Sequence, residues 1–261
     1  MASNDSSKTV FLAFSVNFFI AGIKTVIAII TSSSAMFSEA VHSYVDSGNQ
    51  FILWFGMKQS KKPNKLIYPL GRGKEEYFWT LVVAVLIFTI GGLVSLEHGI
   101  EALSHPKELK NLFISIIVLS VSIILELYVL YKAVKELRSK AVDKNLPVFK
   151  LLKKSTDGPL IAIVVEDFAA TLGLGIALIG SILANVTGNP IFDAVSSIMI
   201  GLLLMLSGLF LGYEMKHLIT GETINIQTKD KIFKLIETNE LVKSVESLKV
   251  VSIGANKYLA L

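Results

Sequence analysis

The sequence lacks cysteine and has few charged residues. None of its 261 residues is cysteine, which excludes a disulfide framework, thiolate zinc clusters and cysteine nucleophiles. Charged residues make up 18% and hydrophobic residues 52% of the chain, whereas soluble proteins average about 25% charged residues. With a mean hydropathy of +0.61, this composition argues against a soluble enzyme. The net charge of +4 does not indicate nucleic-acid binding, because the basic residues lie between long apolar runs.

The sequence contains six apolar runs of about 20 residues, the length of helix that crosses about 30 Å of hydrocarbon. The residues before the first run are too few and too polar for a signal peptide, so we expect that run to be a span. The predicted fold class is an all-α multi-spanning membrane protein. Its six predicted transmembrane helices cover residues 9–31, 34–55, 77–98, 111–136, 159–184 and 190–213.

The loop charges predict the orientation of these helices. Lysine and arginine concentrate in two loops, residues 56–76 and 137–154, whereas the other loops carry few or balanced charges. Because lysine and arginine are retained on the cytoplasmic side, we expect both termini to be cytoplasmic. From the short N-terminus, in which no transit peptide is recognised, we expect a bacterial inner membrane.

The composition becomes soluble after Gly221. Residues 229–238 predict an amphipathic helix, and two strands are expected on either side of a turn at Ala255-Asn256. One helix and two short strands cannot bury a core of their own. We therefore expect residues 1–220 to form a transmembrane domain and residues 221–261 to be a truncated cytoplasmic α+β domain.

Ionisable residues inside the predicted spans indicate a function, because each charge near the bilayer centre costs roughly 2.5 to 3.5 kcal/mol. The fourth span carries Glu126, and the fifth carries Glu166 and Asp167. Together with Asp46, Glu126 and Asp167 lie roughly 12 to 15 Å from the cytoplasmic end. On the second span, steps of three or four residues place one polar stripe on a single helix face: Glu39, His42, Asp46, Asn49 and Gln50.

Carboxylates at one depth repel one another unless a cation or protons neutralise them. His42 adds a nitrogen ligand one turn from Asp46, and imidazole with carboxylate suits Zn²⁺, whereas an all-oxygen site would suit Mg²⁺ or Mn²⁺ better. We predict a metal site of His42, Asp46 and Asp167, with Glu166 and Glu126 as further candidate ligands. The choice of Zn²⁺ over Mn²⁺, Fe²⁺ or Co²⁺ stays open.

Each of these residues also has a structural interpretation. His42 and Asp46 could form a hydrogen bond between packed helices. Glu166 lies about 100° around its helix from Asp167, so it could carry a proton or contact a partner helix. Glu126 could form a salt bridge with Lys24.

Other polar residues are expected to lie outside the site. Glu39 is nearer the outer surface and is a candidate for an exit route. We expect His98, His105 and His217 to be solvated, and Asp193 to bind the free amides at the start of its own helix.

Two segments carry a family resemblance. Residues 34–50 read SAMFSEAVHSYVDSGNQ, and residues 68–77 read YPLGRGKEEY. Both resemble the cation diffusion facilitator family, which exports zinc and related divalent metals. The Glu166-Asp167-x-Ala-Ala run is similar to the branch that includes the mitochondrial zinc exporter of animals and its bacterial relatives.

The resemblance implies four intramembrane ligands, in pairs four residues apart on the second and fifth helices. His42, Asp46 and Asp167 match three of them, but the fourth position is Ile163, which cannot coordinate a metal. The missing ligand would be water or another acid, with Glu166, Glu126 and Glu39 as candidates.

The resemblance also implies a homodimer with a ferredoxin-like cytoplasmic domain. The family's regulatory metal site is expected to be absent, because its positions read Lys65, Tyr68 and Arg72. No histidine or cysteine follows His217, so we expect no zinc in the C-terminal segment.

The predicted function is secondary transport of a divalent cation, with Zn²⁺ as the expected cargo, out of the cytoplasm in exchange for protons. Histidine has an ordinary pKa of about 6.5, and a protonated ligand cannot bind metal, so protons and metal would compete. Expected partners are the cation, protons, the lipid bilayer and a second copy of the chain. We expect no resident cofactor and no nucleic acid. A passive cation channel, an intramembrane zinc-dependent enzyme and a structural membrane protein are the alternatives.

Overall fold

A computed structural model describes residues 2–62, 66–141, 143–221, 226–238, 245, 247–255 and 257–261. Lys65 and Asn256, which entered the sequence predictions, lie outside these residues. The helices are α1 (Ala2–Thr31), α2 (Ser34–Ser60), α3 (Glu75–Ser104), α4 (Leu112–Lys140), α5 (Val148–Lys154), α6 (Gly158–Thr187), α7 (Ile191–Thr220) and α8 (Ile226–Glu237). Strands β1 (Val250–Gly254) and β2 (Lys257–Ala260) form an antiparallel hairpin.

Four of the helices, α3, α4, α6 and α7, are long and apolar enough to cross a membrane. The prediction of a mostly helical membrane protein is therefore confirmed. The predicted runs at 9–31 and 34–55 are helical too, but they differ in character. The apolar part found in α1, Asn17–Thr31, is shorter, and α2 buries many polar side chains.

Helix α2 lies at the centre of the bundle and packs against α1, α3, α6 and α7. Its polar stripe is buried: Glu39, His42 and Asn49 are all almost inaccessible to solvent. Helix α4 packs on α6 and α1 and exposes apolar side chains over most of its surface. The polar face of α2 is turned inward because the outer surface of the bundle is apolar.

Helices α3 and α7 approach closely through glycine, as small residues allow in membrane proteins. A Cβ atom on Gly201 would lie 2.6 Å from the backbone nitrogen of Leu96. On Gly208 it would lie 2.8 Å from the carbonyl oxygen of Ala84. Between these contacts α3 is π-helical over Ile87–Leu93, a rare, wider form of helix.

The hairpin docks on the end of α3. The hydroxyl of the buried Tyr77 donates to the carbonyl oxygen of Thr156 at 2.9 Å and lies 3.0 Å from the Ser252 hydroxyl. Apolar side chains of α8 pack against Leu248 and Val250. The predicted order of helix, strand and strand after residue 221 thus matches the observed order.

Candidate cation site

The two residues of the His-x-x-x-Asp step lie side by side on α2. The Nε2 atom of His42 is 3.3 Å from Oδ2 of Asp46, but the two atoms do not form a hydrogen bond. His42 is buried, and the side chain of Asp46 is 20% exposed. Both ring nitrogens of His42 and Oδ1 of Asp46 are buried and have no hydrogen-bond partner among the described residues. Oδ1 of Asp46 and one ring nitrogen of His42 are therefore available to ligate a metal.

Glu166 faces α2 from the neighbouring helix α6. Its Oε1 atom accepts a hydrogen bond of 2.8 Å from Nδ2 of Asn49. Both residues are buried. The structure therefore agrees with the structural interpretation of Glu166, in which this residue contacts a partner helix. Its hydrogen bond joins α6 to α2 one turn beyond Asp46.

Asp167 lies next to Glu166 on α6 and is half-buried. Its Oδ2 atom is buried without a hydrogen-bond partner in the described structure. Glu126 on α4 is near enough to interact electrostatically with Asp167. The carboxylates of Glu126, Glu166 and Asp167 are also within electrostatic reach of Asp46. Four acids from three helices thus face one region of the interior.

These groups do not form a finished coordination sphere. Within the described ranges, no three histidine, aspartate or glutamate side chains lie together as ligands of one ion. The set of His42, Asp46 and Asp167 therefore stays a prediction. The acid of α6 that reaches α2 is Glu166, and Asp167 lies about 100° away around that helix.

Lys24 pairs with Glu39 rather than with Glu126, which corrects the alternative interpretation of Glu126. Its Nζ atom is 3.5 Å from Oε2 of Glu39 and 2.8 Å from the Ser43 hydroxyl. The reason is topological: α1 and α2 form a helical hairpin, so a side chain of α1 meets α2 first. Ile163 packs against the apolar core and provides no ligand.

Asp193 is structural, as expected, but it caps a different helix. Its carboxylate accepts hydrogen bonds from the Ser33 hydroxyl at 2.6 Å and from the backbone N–H groups of Ser34 and Ala35 at 2.5 and 3.2 Å. These amides belong to the first turn of α2, not of α7. The starts of both helices lie at the same end of the bundle, where one buried carboxylate joins them.

The expected solvation of His98 and His217 is wrong in part. The His98 ring packs edge-on against Phe37 with centroids 4.1 Å apart, and the His217 ring against Tyr213 at 4.5 Å. Each histidine has one buried ring nitrogen without a hydrogen-bond partner among the described residues. Histidine has an apolar body that packs against aromatic rings even near a helix end. His105 is exposed, as expected.

A family comparison identifies the chain. The sequence-family model for the cation efflux transmembrane domain matches residues 10–218. The chain belongs to the cation efflux family. Members of this family are transporters and not enzymes, which agrees with the predicted transport function and with the resemblance found in the sequence.

Individual cation efflux proteins are similar over most of the chain. The proton-coupled zinc antiporter SLC30A9, mitochondrial, of Homo sapiens is 32% identical over 250 residues, which cover 96% of this chain and 44% of that protein. Metal tolerance protein C4 of Arabidopsis thaliana is 28% identical over 253 residues, 97% of this chain and 55% of that protein. Magnetosome protein MamM of Paramagnetospirillum magneticum is 25% identical over 156 residues, 58% of this chain and 46% of that protein. The chain thus spans about half the length of these relatives.

Sequence reasoning missed two partners in this cation efflux protein. Asn49 was placed on the polar stripe, but its bond to Glu166 was not predicted. Ser43, the partner of Lys24, was not singled out at all. The spacing of Ser43 from His42 and Asp46 gave no signal, because a serine in an apolar helix usually bonds its own backbone.

Proposed function

We propose that this cation efflux protein is a secondary transporter that moves Zn²⁺ out of the cytoplasm in exchange for protons. The observation that carries the proposal is the His42–Asp46 pair, in which both ring nitrogens of His42 and Oδ1 of Asp46 are buried without hydrogen-bond partners among the described residues. Buried polar groups normally have partners, so these atoms suit a cation that comes and goes. The names of the SLC30A9 relatives, proton-coupled zinc antiporters, support zinc and proton exchange.

The proposed ligands are His42, Asp46 and Asp167. The first two lie side by side on α2, and Oδ2 of Asp167 is a buried acid oxygen on α6 without a hydrogen-bond partner among the described residues. Binding would draw Asp167 toward the α2 pair and shift α6 against α2, the kind of helix movement that alternating access needs. Glu126 and Glu166 remain candidates for the fourth ligand, although Glu166 would first have to leave Asn49.

Proton exchange follows from competition at the same atoms. Zinc binds neutral imidazole and ionised carboxylate, so protonation of these groups removes the lone pairs that the metal needs. The zinc affinity of the site must therefore fall as the pH falls, and rise as the pH rises. A proton gradient directed into the cytoplasm would release zinc on the opposite side.

The proposed topology has six spans, formed by α1, α2, α3, α4, α6 and α7, with both termini in the cytoplasm. An even number of spans and the two basic loops support this orientation. We further propose that residues 1–220 are the transmembrane domain, that residues 221–261 belong to a cytoplasmic α+β domain, and that the chain forms a homodimer in a cell inner membrane.

The test is zinc flux in proteoliposomes with a trapped zinc indicator and a trapped pH indicator. His42→Ala, Asp46→Ala and Asp167→Asn should each abolish zinc flux, whereas His105→Ala, an exposed histidine, should leave it unchanged. Undiminished flux in all three variants would reject the site. Zinc flux with no opposing proton movement would reject the exchange and favour a passive channel.

A further inference from the structure

Lys24 is a buried cation in an interior rich in acids. The residue is 3% exposed. Its Nζ atom donates a hydrogen bond of 2.8 Å to the Ser43 hydroxyl and lies 3.5 Å from Oε2 of Glu39. A lysine at this depth is costly, so its retention calls for an explanation.

The lysine is not committed to one carboxylate. A strong ammonium–carboxylate hydrogen bond has an N···O distance of about 2.7 to 2.9 Å, shorter than the distance to Glu39. The neutral hydroxyl of Ser43 is the closer partner. The second carboxylate oxygen of Glu39, Oε1, is buried and lacks a hydrogen-bond partner among the described residues. Lys24 therefore lacks a short contact with a carboxylate, and Glu39 has one carboxylate oxygen without a donor.

The charge of Lys24 reaches the proposed cation site. Its two partners, Glu39 and Ser43, lie on either side of His42 along α2. Its charge is also within electrostatic reach of Asp46 and of Glu126 on α4. Glu39, Asp46 and Glu126 form an acidic cluster around Lys24. The ammonium group therefore neutralises part of the negative charge that a divalent cation would also neutralise.

We propose that Lys24 is a tethered cation that competes with the divalent cargo for this acidic cluster. The proposal rests on the proposed function, and it assigns Lys24 the role of setting cation affinity. Two cations near the same acids repel each other strongly where little water screens them. Lys24 therefore weakens cargo binding and speeds cargo release, which an exporter needs at a site with so many carboxylates.

A purely structural role predicts the opposite sign. Removal of one member of a buried ion pair leaves the other charge uncompensated and destabilises the fold. Damage of this kind would weaken cation binding. The direction of the change in affinity therefore separates the two roles.

The experiment measures Zn²⁺ binding to the purified full chain by calorimetry, and zinc flux in proteoliposomes. For Lys24→Met we expect the Kd for Zn²⁺ to fall about tenfold or more, since relief of like-charge repulsion is large at a dry site. The KM for flux should fall with the Kd, and kcat should fall because release is slower. Lys24→Arg keeps the charge and should stay within about twofold of the parent Kd, since both side chains carry one fixed charge.

Two controls separate charge from packing. Ser43→Ala removes the hydrogen bond of Lys24 but keeps its charge, so the Kd should change far less than in Lys24→Met. Lys140→Met removes a lysine that pairs with Glu136 and Asp157 at the end of α4, and it should leave the Kd unchanged.

An unchanged or higher Kd in folded Lys24→Met overturns the inference. If Lys24→Met does not fold, the double variant Lys24→Met with Glu39→Gln removes both charges and is compared with Glu39→Gln alone. A lower Kd in the double variant supports the inference, and an equal Kd overturns it. Loss of zinc binding in Asp46→Ala shows that the proposed site stands regardless of the result at Lys24, whereas binding that survives Asp46→Ala refutes the site and the inference together.

Discussion

The carboxylates buried along two parts of α2 differ in their hydrogen bonding. At the start of the helix, the 1% exposed Asp193 accepts three hydrogen bonds. About three turns further along, Oδ1 of Asp46 is buried with no hydrogen-bond partner among the described residues, and so is Oδ2 of Asp167 on α6. A buried carboxylate with all its donors present stabilises the fold. Buried carboxylates without donors cost free energy, which indicates that they serve another purpose.

The groups that face these carboxylates differ in the same way. The first-turn amides of α2 are fixed donors that cannot leave Asp193. Near His42, by contrast, the buried cation is Lys24, whose contact with Glu39 is long. Fixed donors suit a permanent joint between helices, and an exchangeable charge suits a site that fills and empties.

Asp46→Asn should give the largest effect on transport. Asparagine keeps the shape but removes the negative charge that binds zinc. Since loss of even an outer-shell partner of a metal costs about 10- to 100-fold, we expect zinc flux in proteoliposomes to fall at least that much. The melting temperature in detergent should stay the same or rise, because an unpaired buried charge is lost. A large fall in melting temperature would erase the contrast with Asp193.

Asp193→Ala should give the largest effect on stability. The first-turn amides of α2 and the Ser33 hydroxyl lose their acceptor, so we expect the free energy of unfolding to fall by about 2 to 4 kcal/mol. Denaturant unfolding in detergent measures this change. Zinc affinity of the remaining folded protein should be unaltered. A strong loss of affinity with unchanged stability would place Asp193 in the site instead.

Glu166→Gln should give the smallest effect. The glutamine amide oxygen can still accept the hydrogen bond from Asn49, so the α2–α6 contact is preserved. We expect flux to change less than tenfold, because a neutral acceptor weakens this one bond by only about 1 kcal/mol. Glu166→Ala, which removes the acceptor, is the matched comparison for stability. Complete loss of flux in Glu166→Gln would make Glu166 a ligand rather than a contact between helices.

The helices and the polar face of α2 could be predicted from local patterns. A run of about 20 apolar residues has few options other than a spanning helix, and steps of three and four residues align His42 and Asp46 whatever surrounds them. Most of the helices end a few residues later than predicted, for example at Lys140 rather than at residue 136. Polar residues at the ends of spans continue a helix at little cost.

The partners across helices could not be predicted in this way. From the sequence, Asp193 was assigned to the amides of its own helix, and a salt bridge between Lys24 and Glu126 was an alternative interpretation. Which helix lies beside which depends on the packing of whole helix faces, and residues 160 positions apart leave no periodic signal. The rotation of α6 that aims Glu166 rather than Asp167 at Asn49 is a decision of the same kind.

The sequence by itself determined that the chain is helical, membrane-embedded and rich in buried acids, since composition and periodicity act through short-range geometry and hydrophobic transfer. Only the tertiary structure decided which acids are satisfied and which are not. Donor and acceptor meet at about 3 Å only after the helices have packed, and that arrangement separates the structural Asp193 from the open pair at His42 and Asp46.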